Sequence, residues 1–230
     1  KSNFLPQLQN HDIDDIAYHK ITIVITTCKR LRTFIETMNS FVANCLDLHL
    51  IKEWIVIDDG STDQDKIQMK SLYPFIKLIE KSIDQKGHAQ SLNLMIKLVS
   101  TPYILYLEDD WKLMGSRHFL RDSIELIEKH ELFGQIVFNR YYAECYKDYS
   151  TVGGSLKMIN ATGTTYVDHD FINPKDKPAE YFKYVKDKSL PNHAHWPHFS
   201  LNPCLIKKSI FEKTGLFDTS SNQHVSFEYN

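Results

Sequence analysis

The sequence predicts an α/β fold built on a mostly parallel central sheet. Four short apolar runs, at residues 21–27, 54–57, 76–79 and 103–107, alternate with segments of helical periodicity. Strands that alternate with helices favour right-handed βαβ crossovers and therefore parallel strands. Each run also ends close to polar or acidic residues. Because ligands bind beyond the carboxyl ends of such strands, we expect a site at one rim of the sheet.

The first strand-helix unit covers residues 21–46. Its β-branched run at 21–27 is typical of a strand buried on both faces, and it ends on Thr26, Thr27 and Lys29. Apolar side chains then recur at steps of three and four, which predicts one helix with a full apolar stripe. These side chains are Leu31, Phe34, Ile35, Met38, Phe41, Val42, Cys45 and Leu46.

The second and third strands, at residues 54–57 and 76–79, flank a short helix. The second strand runs into Asp58 and Asp59, after which Gly60 permits a tight turn and residue 61 or 62 can cap a helix through about residue 72. Asp84 lies beyond the third strand. Residues 86–88 open the next helix, whose shared apolar face is formed by Ala89, Leu92, Met95, Ile96 and Val99.

The fourth strand stops on three consecutive acids, Glu108, Asp109 and Asp110. Adjacent carboxylates repel one another, so a bound cation would explain them, whereas the alternative is an acidic turn exposed to water. In an extended strand Glu108 and Asp110 would share one face and Asp109 the other. Oxygen ligands favour Mg²⁺ or Mn²⁺, which would bridge a nucleotide diphosphate to the protein.

Beyond residue 111 the pattern is less regular. A helix at about 116–129 precedes a strand at 135–138, and a last helix is expected near 207–214. The region between them, 139–203, is rich in tyrosine, glycine, proline and histidine and contains a predicted turn at 152–155. Loops around an open rim are expected to recognise an acceptor, although the alternative is ordinary surface structure.

Composition excludes several classes of function. The chain has 230 residues, 27 basic against 29 acidic, and a formal net charge of -2, so no nucleic-acid surface is expected. No run of 18 apolar residues predicts a membrane span. The four cysteines show no metal-ligand spacing and favour a soluble protein in a reducing, cytoplasmic compartment, whereas the sequon at residues 160–162 points the other way.

Four segments carry a family resemblance: residues 23–30 (IVITTCKR), 56–63 (VIDDGSTD), 87–93 (GHAQSLN) and 107–110 (LEDD). In order and spacing they resemble the GT-A glycosyltransferases, especially those similar to glycosyltransferase family 2. The resemblance implies one Rossmann-like GT-A domain over 1–230, with a nucleotide-sugar-binding half at 21–111 and an acceptor-binding half at 112–230. It also implies a nucleotide-diphospho-sugar donor and a Mn²⁺ or Mg²⁺ ion.

We assign the metal to Asp110, supported by Asp109, and a ribose contact to Glu108. Asp58 or Asp59 would accept the imide N–H of uracil, or would serve only as turn and cap residues. The expected donor-binding residues are Thr26, Thr27, Lys29, Asp58, Asp59, Asp84, Gly87, Glu108 and Asp109. Many relatives carry an arginine just before the asparagine of the third motif, whereas this chain has Leu92. This departure argues against a donor contact from position 92.

In the second half, residues 197–208 and 214–218 are similar to the acceptor-side segment of these enzymes. The resemblance places Glu228 as the general base that deprotonates an acceptor hydroxyl, with inversion at the anomeric carbon, although a structural role is the alternative. His198 would be a further metal ligand or would position the acceptor.

We therefore expect a metal-dependent glycosyltransferase that uses a UDP-sugar and a glycan, glycoprotein or other hydroxyl acceptor. One alternative is a GT-A-like module that binds a nucleotide-sugar or glycan without turnover. A sugar nucleotidyltransferase is disfavoured because residues 27–31 contain no glycine for a phosphate loop.

Overall fold

A six-stranded sheet with helices on both faces forms the centre of the computed structural model. The structure describes residues 19–82, 85–138, 154–159, 161–169, 175–180, 182 and 199–219. The strands are β1 (Ile21–Thr27), β2 (Ile51–Asp58), β3 (Ile76–Glu80), β4 (Tyr103–Glu108), β5 (Gln135–Val137), β6 (Gly154–Met158), β7 (Thr165–His169) and β8 (Cys204–Lys207). The helices are α1 (Leu31–Asn44), α2 (Asp63–Leu72), α3 (His88–Leu98), α4 (Phe119–Lys129) and α5 (Ile210–Thr214).

The strand order in this sheet is β3-β2-β1-β4-β8-β5. The first four strands of the chain pair in parallel, and β8 pairs antiparallel with both β4 and β5. The predicted α/β class with a mostly parallel sheet is therefore confirmed. β6 and β7 form a separate antiparallel pair. The turn predicted at 152–155 is wrong for its described residues, because Gly154 and Ser155 begin β6.

Alternating side chains of the central strands fill two apolar layers. On one side Ile23 and Ile25 of β1 pack with residues of α1, α2 and α4, and on the other Val24 packs with residues of α3 and α5. All seven residues of β1 are buried, as the β-branched run predicted. Burial on both faces explains why this strand carries no polar-apolar alternation.

β8 is a strand of the central sheet that the sequence did not predict. Its residues Cys204, Leu205 and Ile206 are fully buried, and its backbone fills the space between β4 and β5. The residues just before β8 are held by the Gln135 side chain, which donates to the Ser200 carbonyl at 2.6 Å and accepts the Ser200 N–H at 3.0 Å. Three consecutive apolar residues cannot be assigned to strand or helix by periodicity alone, so only the sheet identifies this element.

α4 begins at Phe119, three residues later than predicted, because a distant side chain caps it. The Asp47 carboxylate accepts the N–H groups of Leu120 and Arg121 at 3.0 and 3.2 Å. An aspartate at a helix N-terminus satisfies free amide groups and matches the helix dipole. The start of this helix is therefore set by tertiary structure.

Three of the cysteines are described: Cys28 is exposed, whereas Cys45 and Cys204 are buried. Burial raises the pKa of the Cys45 thiol to about 12, as expected for a thiol on an apolar helix face. None of the helices among the described residues is long and apolar enough to cross a membrane.

Candidate active site

The carboxyl ends of β1, β2 and β4 meet at one rim of the sheet. In the parallel register Thr27 lies opposite Asp58, and Thr26 lies opposite Glu108. Most of the candidate donor-binding residues therefore converge, as expected from the position of ligand sites in parallel sheets. Three candidates, Asp84, His198 and Glu228, lie outside the described residues.

The acidic turn, residues 108–110, divides between the two faces of the sheet. β4 ends at Glu108, and Asp109 and Asp110 follow in a turn where both contact Arg30. Asp109 lies on the opposite face from Glu108 as predicted, but Asp110 does not return to the Glu108 side. This part of the prediction was wrong because strand alternation stops where the extended backbone ends.

Asp109 is a fully buried carboxylate that contacts two side chains. The Thr27 hydroxyl donates to its Oδ2 at 2.6 Å, and a guanidinium nitrogen of Arg30 lies 2.5 Å from its Oδ1. Burial raises the pKa of Asp109, whereas the Thr27 hydrogen bond and the Arg30 charge oppose this rise. The hydrogen bond from Thr27 to Asp109 thus links the first and fourth motifs.

Arg30 is a site residue that sequence reasoning missed. Its guanidinium also donates to Asp110 Oδ2 at 2.9 Å. Arg30 follows β1 directly within the first motif, and this position was the available signal. The sequence predicts a role for Lys29 instead, and the described contact of Lys29 is through its backbone: it adopts φ 55° and its N–H donates to Ser61 Oγ at 2.9 Å.

Asp58 and Asp59 have different partners. Asp58 is buried, and both its carboxylate oxygens accept the Ser61 N–H, at 3.2 and 3.0 Å. This contact matches the turn role that the sequence left open. Of the two residues predicted to cap α2, Thr62 does so, because its hydroxyl accepts the Asp65 N–H. Asp59 instead reaches the start of α3, because its Oδ2 accepts the Gly87 N–H at 2.9 Å.

A buried ammonium, Lys81, completes this part of the rim. Its side chain is 1% exposed, and its Nζ lies 3.1 Å from Asp59 Oδ1. The same nitrogen donates to the Gly87 carbonyl and to Ser91 Oγ, each at 2.8 Å. Two hydrogen bonds and one ion pair thus surround the ammonium. The sequence signal for this residue was its position directly after β3. That position alone does not predict burial, because most lysines are solvated.

Gly87 needs to be glycine because its φ is 108°, in a region that side chains disfavour. Further along α3, Leu92 is fully buried, so the position where relatives carry arginine packs in the core here. The neighbouring Asn93 exchanges hydrogen bonds with the backbone of Phe217, at 2.9 and 2.8 Å. α3 is therefore tied to the segment that follows α5.

On the Glu108 side, a buried hydroxyl organises a polar network that the sequence did not predict. The Tyr106 hydroxyl lies 3.0 Å from Thr26 Oγ1, 2.6 Å from His88 Nε2 and 3.5 Å from Glu108 Oε1. Burial raises the pKa of Tyr106 well above its usual value. Burial and the Lys81 charge lower the pKa of His88, which favours a neutral imidazole in this network.

The residues at the acidic turn fit one kind of metal site. Among the described residues, no group of three or more histidine, cysteine or acidic side chains could enclose an ion. Mg²⁺ is commonly held by one or two carboxylates together with substrate phosphates and water. Asp110, 43% exposed, with Asp109 beside it, matches this type of site.

Residues 22–213 match the family model described as glycosyl transferase family 2. The chain belongs to glycosyl transferase family 2. This match covers all of the central sheet except its first residue, so the predicted family is confirmed, and with it the assignment of the chain to the glycosyltransferases.

Among curated relatives of this family 2 chain is a teichoic acid poly(glycerol phosphate) polymerase from Staphylococcus epidermidis. The two are 30% identical over 108 residues, which is 41% of this chain and 13% of the polymerase. The chain therefore spans only a small part of that relative.

Solved structures support the fold. TarS residues 1–349 from S. aureus align with a TM-score of 0.53 and 14% identity over 91% of this chain and 52% of that one. The mannosyltransferase PcManGT from Pyrobaculum calidifontis, in complex with GDP-Man and Mn²⁺, aligns with a TM-score of 0.53 and 15% identity over 92% and 52%. The fold is GT-A, as the motifs predicted, and the chain spans about half of each neighbour.

Proposed function

We propose that this family 2 domain transfers a sugar from a UDP-sugar to an acceptor hydroxyl, with inversion, in a reaction that needs Mn²⁺ or Mg²⁺. The convergence of Asp58, Asp59, Asp109 and Asp110 at one rim of a GT-A sheet carries the proposal. TarS has been solved with UDP-GlcNAc and PcManGT with GDP-Man and Mn²⁺, which supports a nucleotide-sugar and a divalent ion here. The acceptor would be a glycan, glycoprotein or other hydroxyl compound.

The donor would lie across the rim. Asp58 and Asp59 would take the base, with Gly87 held beside Asp59 by its N–H. Glu108 would take the ribose, and the contact of its carboxylate with Tyr106 orients it for this. Thr26 contacts the same Tyr106 hydroxyl. Lys29 would offset phosphate charge of the donor, and Asp84 would be a further donor contact.

At the acidic turn Asp110 would hold the metal, and Asp109, fixed by Thr27, would support it. The bound ion would act as a Lewis acid that neutralises charge on the departing diphosphate. On the acceptor side Glu228 would take the proton of the attacking hydroxyl, and His198 would bind the metal or position the acceptor. The family resemblance supports the last two assignments.

Replacing one carboxylate oxygen tests the central claim. Asp110→Asn should lower metal-dependent release of UDP from a UDP-sugar at least about 100-fold, the upper end of what loss of an outer ligand costs. Donor turnover is followed with Mn²⁺ and with EDTA, and circular dichroism checks the fold. Asp63→Asn is the matched control, since Asp63 is 95% exposed on α2.

Unchanged turnover in Asp110→Asn would remove the metal assignment. A module that binds without catalysis gives a different result: UDP and Mn²⁺ would raise the melting temperature of the wild-type protein, while no UDP would be released from any donor offered. A panel of UDP- and GDP-sugars distinguishes the donor base in the same assay.

A further inference from the structure

One guanidinium spans the two carboxylates of the proposed metal site. Arg30 places one nitrogen 2.5 Å from Asp109 Oδ1 and another 2.9 Å from Asp110 Oδ2. Neither partner is close to Arg30 in the sequence, so the folded sheet creates this arrangement. Asp109 is fully buried and Asp110 is 43% exposed, so the pair extends from the protein interior to solvent.

A divalent cation and this guanidinium need the same oxygen atoms. Arginine forms strong, directional hydrogen bonds to carboxylates, and a planar guanidinium matches two acceptors at once. With Arg30 in place, one positive charge already offsets part of the negative charge of the two aspartates. A metal ion that enters alone must therefore displace a cation that belongs to the protein.

The backbone of Arg30 is fixed, while its side chain has room to move. The Arg30 carbonyl accepts the Phe34 N–H at 3.0 Å and the Thr33 hydroxyl at 2.9 Å, which anchors the residue at the start of α1. The side chain is 49% exposed. A guanidinium that leaves the carboxylates can therefore turn toward the open rim without disturbing the helix.

We propose that Arg30 is a displaceable counter-ion that makes metal binding depend on the nucleotide. Without a donor Arg30 holds Asp109 and Asp110 and weakens binding of Mn²⁺ alone. A nucleoside diphosphate supplies phosphate oxygens that the guanidinium binds instead, which frees the carboxylates for the ion. This role rests on the proposed function and adds a positioning residue that sets the order in which metal and donor bind.

The test measures free Mn²⁺ by electron paramagnetic resonance, without any acceptor or turnover. Arg30→Gln should bind Mn²⁺ alone at least about fivefold more tightly than the wild type, the lower end of a typical coupling between two ligands. UDP should tighten Mn²⁺ binding strongly in the wild type and much less in the variant. Arg32→Gln is the matched control, because Arg32 is 92% exposed on α1 and pairs only with Glu36 among the described contacts.

Loss of Arg30 leaves the charge of buried Asp109 without its cation, which can unfold the variant. Arg30→Lys is therefore measured in parallel, since an ammonium keeps a charge but cannot span both carboxylates. It should shift Mn²⁺ affinity in the same direction by a smaller factor. Circular dichroism establishes which variants are folded before the metal titrations.

The outcomes separate two failures. If the wild type binds Mn²⁺ with UDP but no folded Arg30 variant binds Mn²⁺ alone more tightly, the counter-ion role is overturned and the proposed function stands. If the wild type binds no Mn²⁺ with or without UDP, the metal dependence of the proposed function fails, and this role fails with it.

Discussion

At the scale of single residues, the site depends on contacts between side chains far apart in the sequence. Asp109 is held by Thr27 and Arg30, about 80 positions earlier. His88 contacts Tyr106, and the charge that helps to lower its pKa comes from Lys81. The motifs identified most of the acidic residues of the site. Only the structure showed that Arg30, Lys81 and Tyr106 contact them.

His88 makes stability depend on pH. Its folded pKa lies below its ordinary value of 6.5, so the unfolded chain binds a proton more readily as pH falls through that value. The free energy of unfolding should therefore decrease as the pH is lowered from about 7.5 toward about 5.5, the range in which histidine titrates. Urea titrations across this range measure the slope.

His88→Gln should flatten that slope, because glutamine carries no proton that the unfolded state would gain. His49→Gln serves as the control for replacing a histidine, since His49 is an exposed residue of the 3-10 turn at Leu48–Leu50. Equal slopes in wild type and His88→Gln would show that this imidazole does not titrate as its surroundings indicate.

At the scale of elements, the rim is assembled from the ends of strands and the first turn of a helix. Lys81 follows β3, its ion-pair partner Asp59 follows β2, and its other acceptors lie at the start of α3. One ammonium thus fixes three elements around the residues proposed to bind the base. We therefore expect the positions of Asp59 and Gly87 to depend on the contacts of Lys81.

Lys81→Met should lower the free energy of unfolding by about 2 kcal/mol, because it leaves buried acceptors without their donor. It should also weaken UDP binding, since Asp59 and Gly87 lose a shared partner. Chemical denaturation and a nucleotide titration measure the two effects.

Lys77→Met, in the strand that Lys81 follows, is the comparison. Lys77 is 51% exposed and forms a surface pair with Glu53, so its loss should cost less than about 0.5 kcal/mol. A similar small cost for Lys81→Met would mean that the buried ammonium does not hold the rim together.

At the scale of the whole molecule, the two predicted halves share one sheet. β8 comes from the second half, yet it pairs along β4 from Tyr103 to Tyr106, next to the acidic turn. Asn93 and Phe217 tie the halves together a second time. We therefore expect the donor side and β8 to unfold as one unit.

Leu205→Ala tests this cooperation. Leu205 is fully buried in β8, and its truncation should lower the free energy of unfolding by about 3 kcal/mol. Urea midpoints from far-ultraviolet circular dichroism and from tryptophan fluorescence should shift together. Leu132→Ala is the control, because Leu132 is 97% exposed. Separate midpoints for the two probes would show that β8 unfolds independently of the strands that carry the site.

Sequence reasoning predicted the parallel part of the fold closely because its signals are local. The run at 21–27 became β1 without change, and Thr62 caps α2 as one of two candidates. β8 was missed because three apolar residues have no diagnostic period, and the start of α4 was misplaced because its cap, Asp47, comes from another part of the chain.

By itself the sequence determined the family, the α/β class and the acids at the strand ends, since periodicity and motif order are properties of neighbouring residues. Only the tertiary structure decided which cation meets which acid. Arg30 holds Asp109 and Asp110, Lys81 holds Asp59, and Glu108 lies on the other face with His88. The physical reason is that hydrogen bonds and charges act over a few ångströms, and folding alone brings distant residues that close.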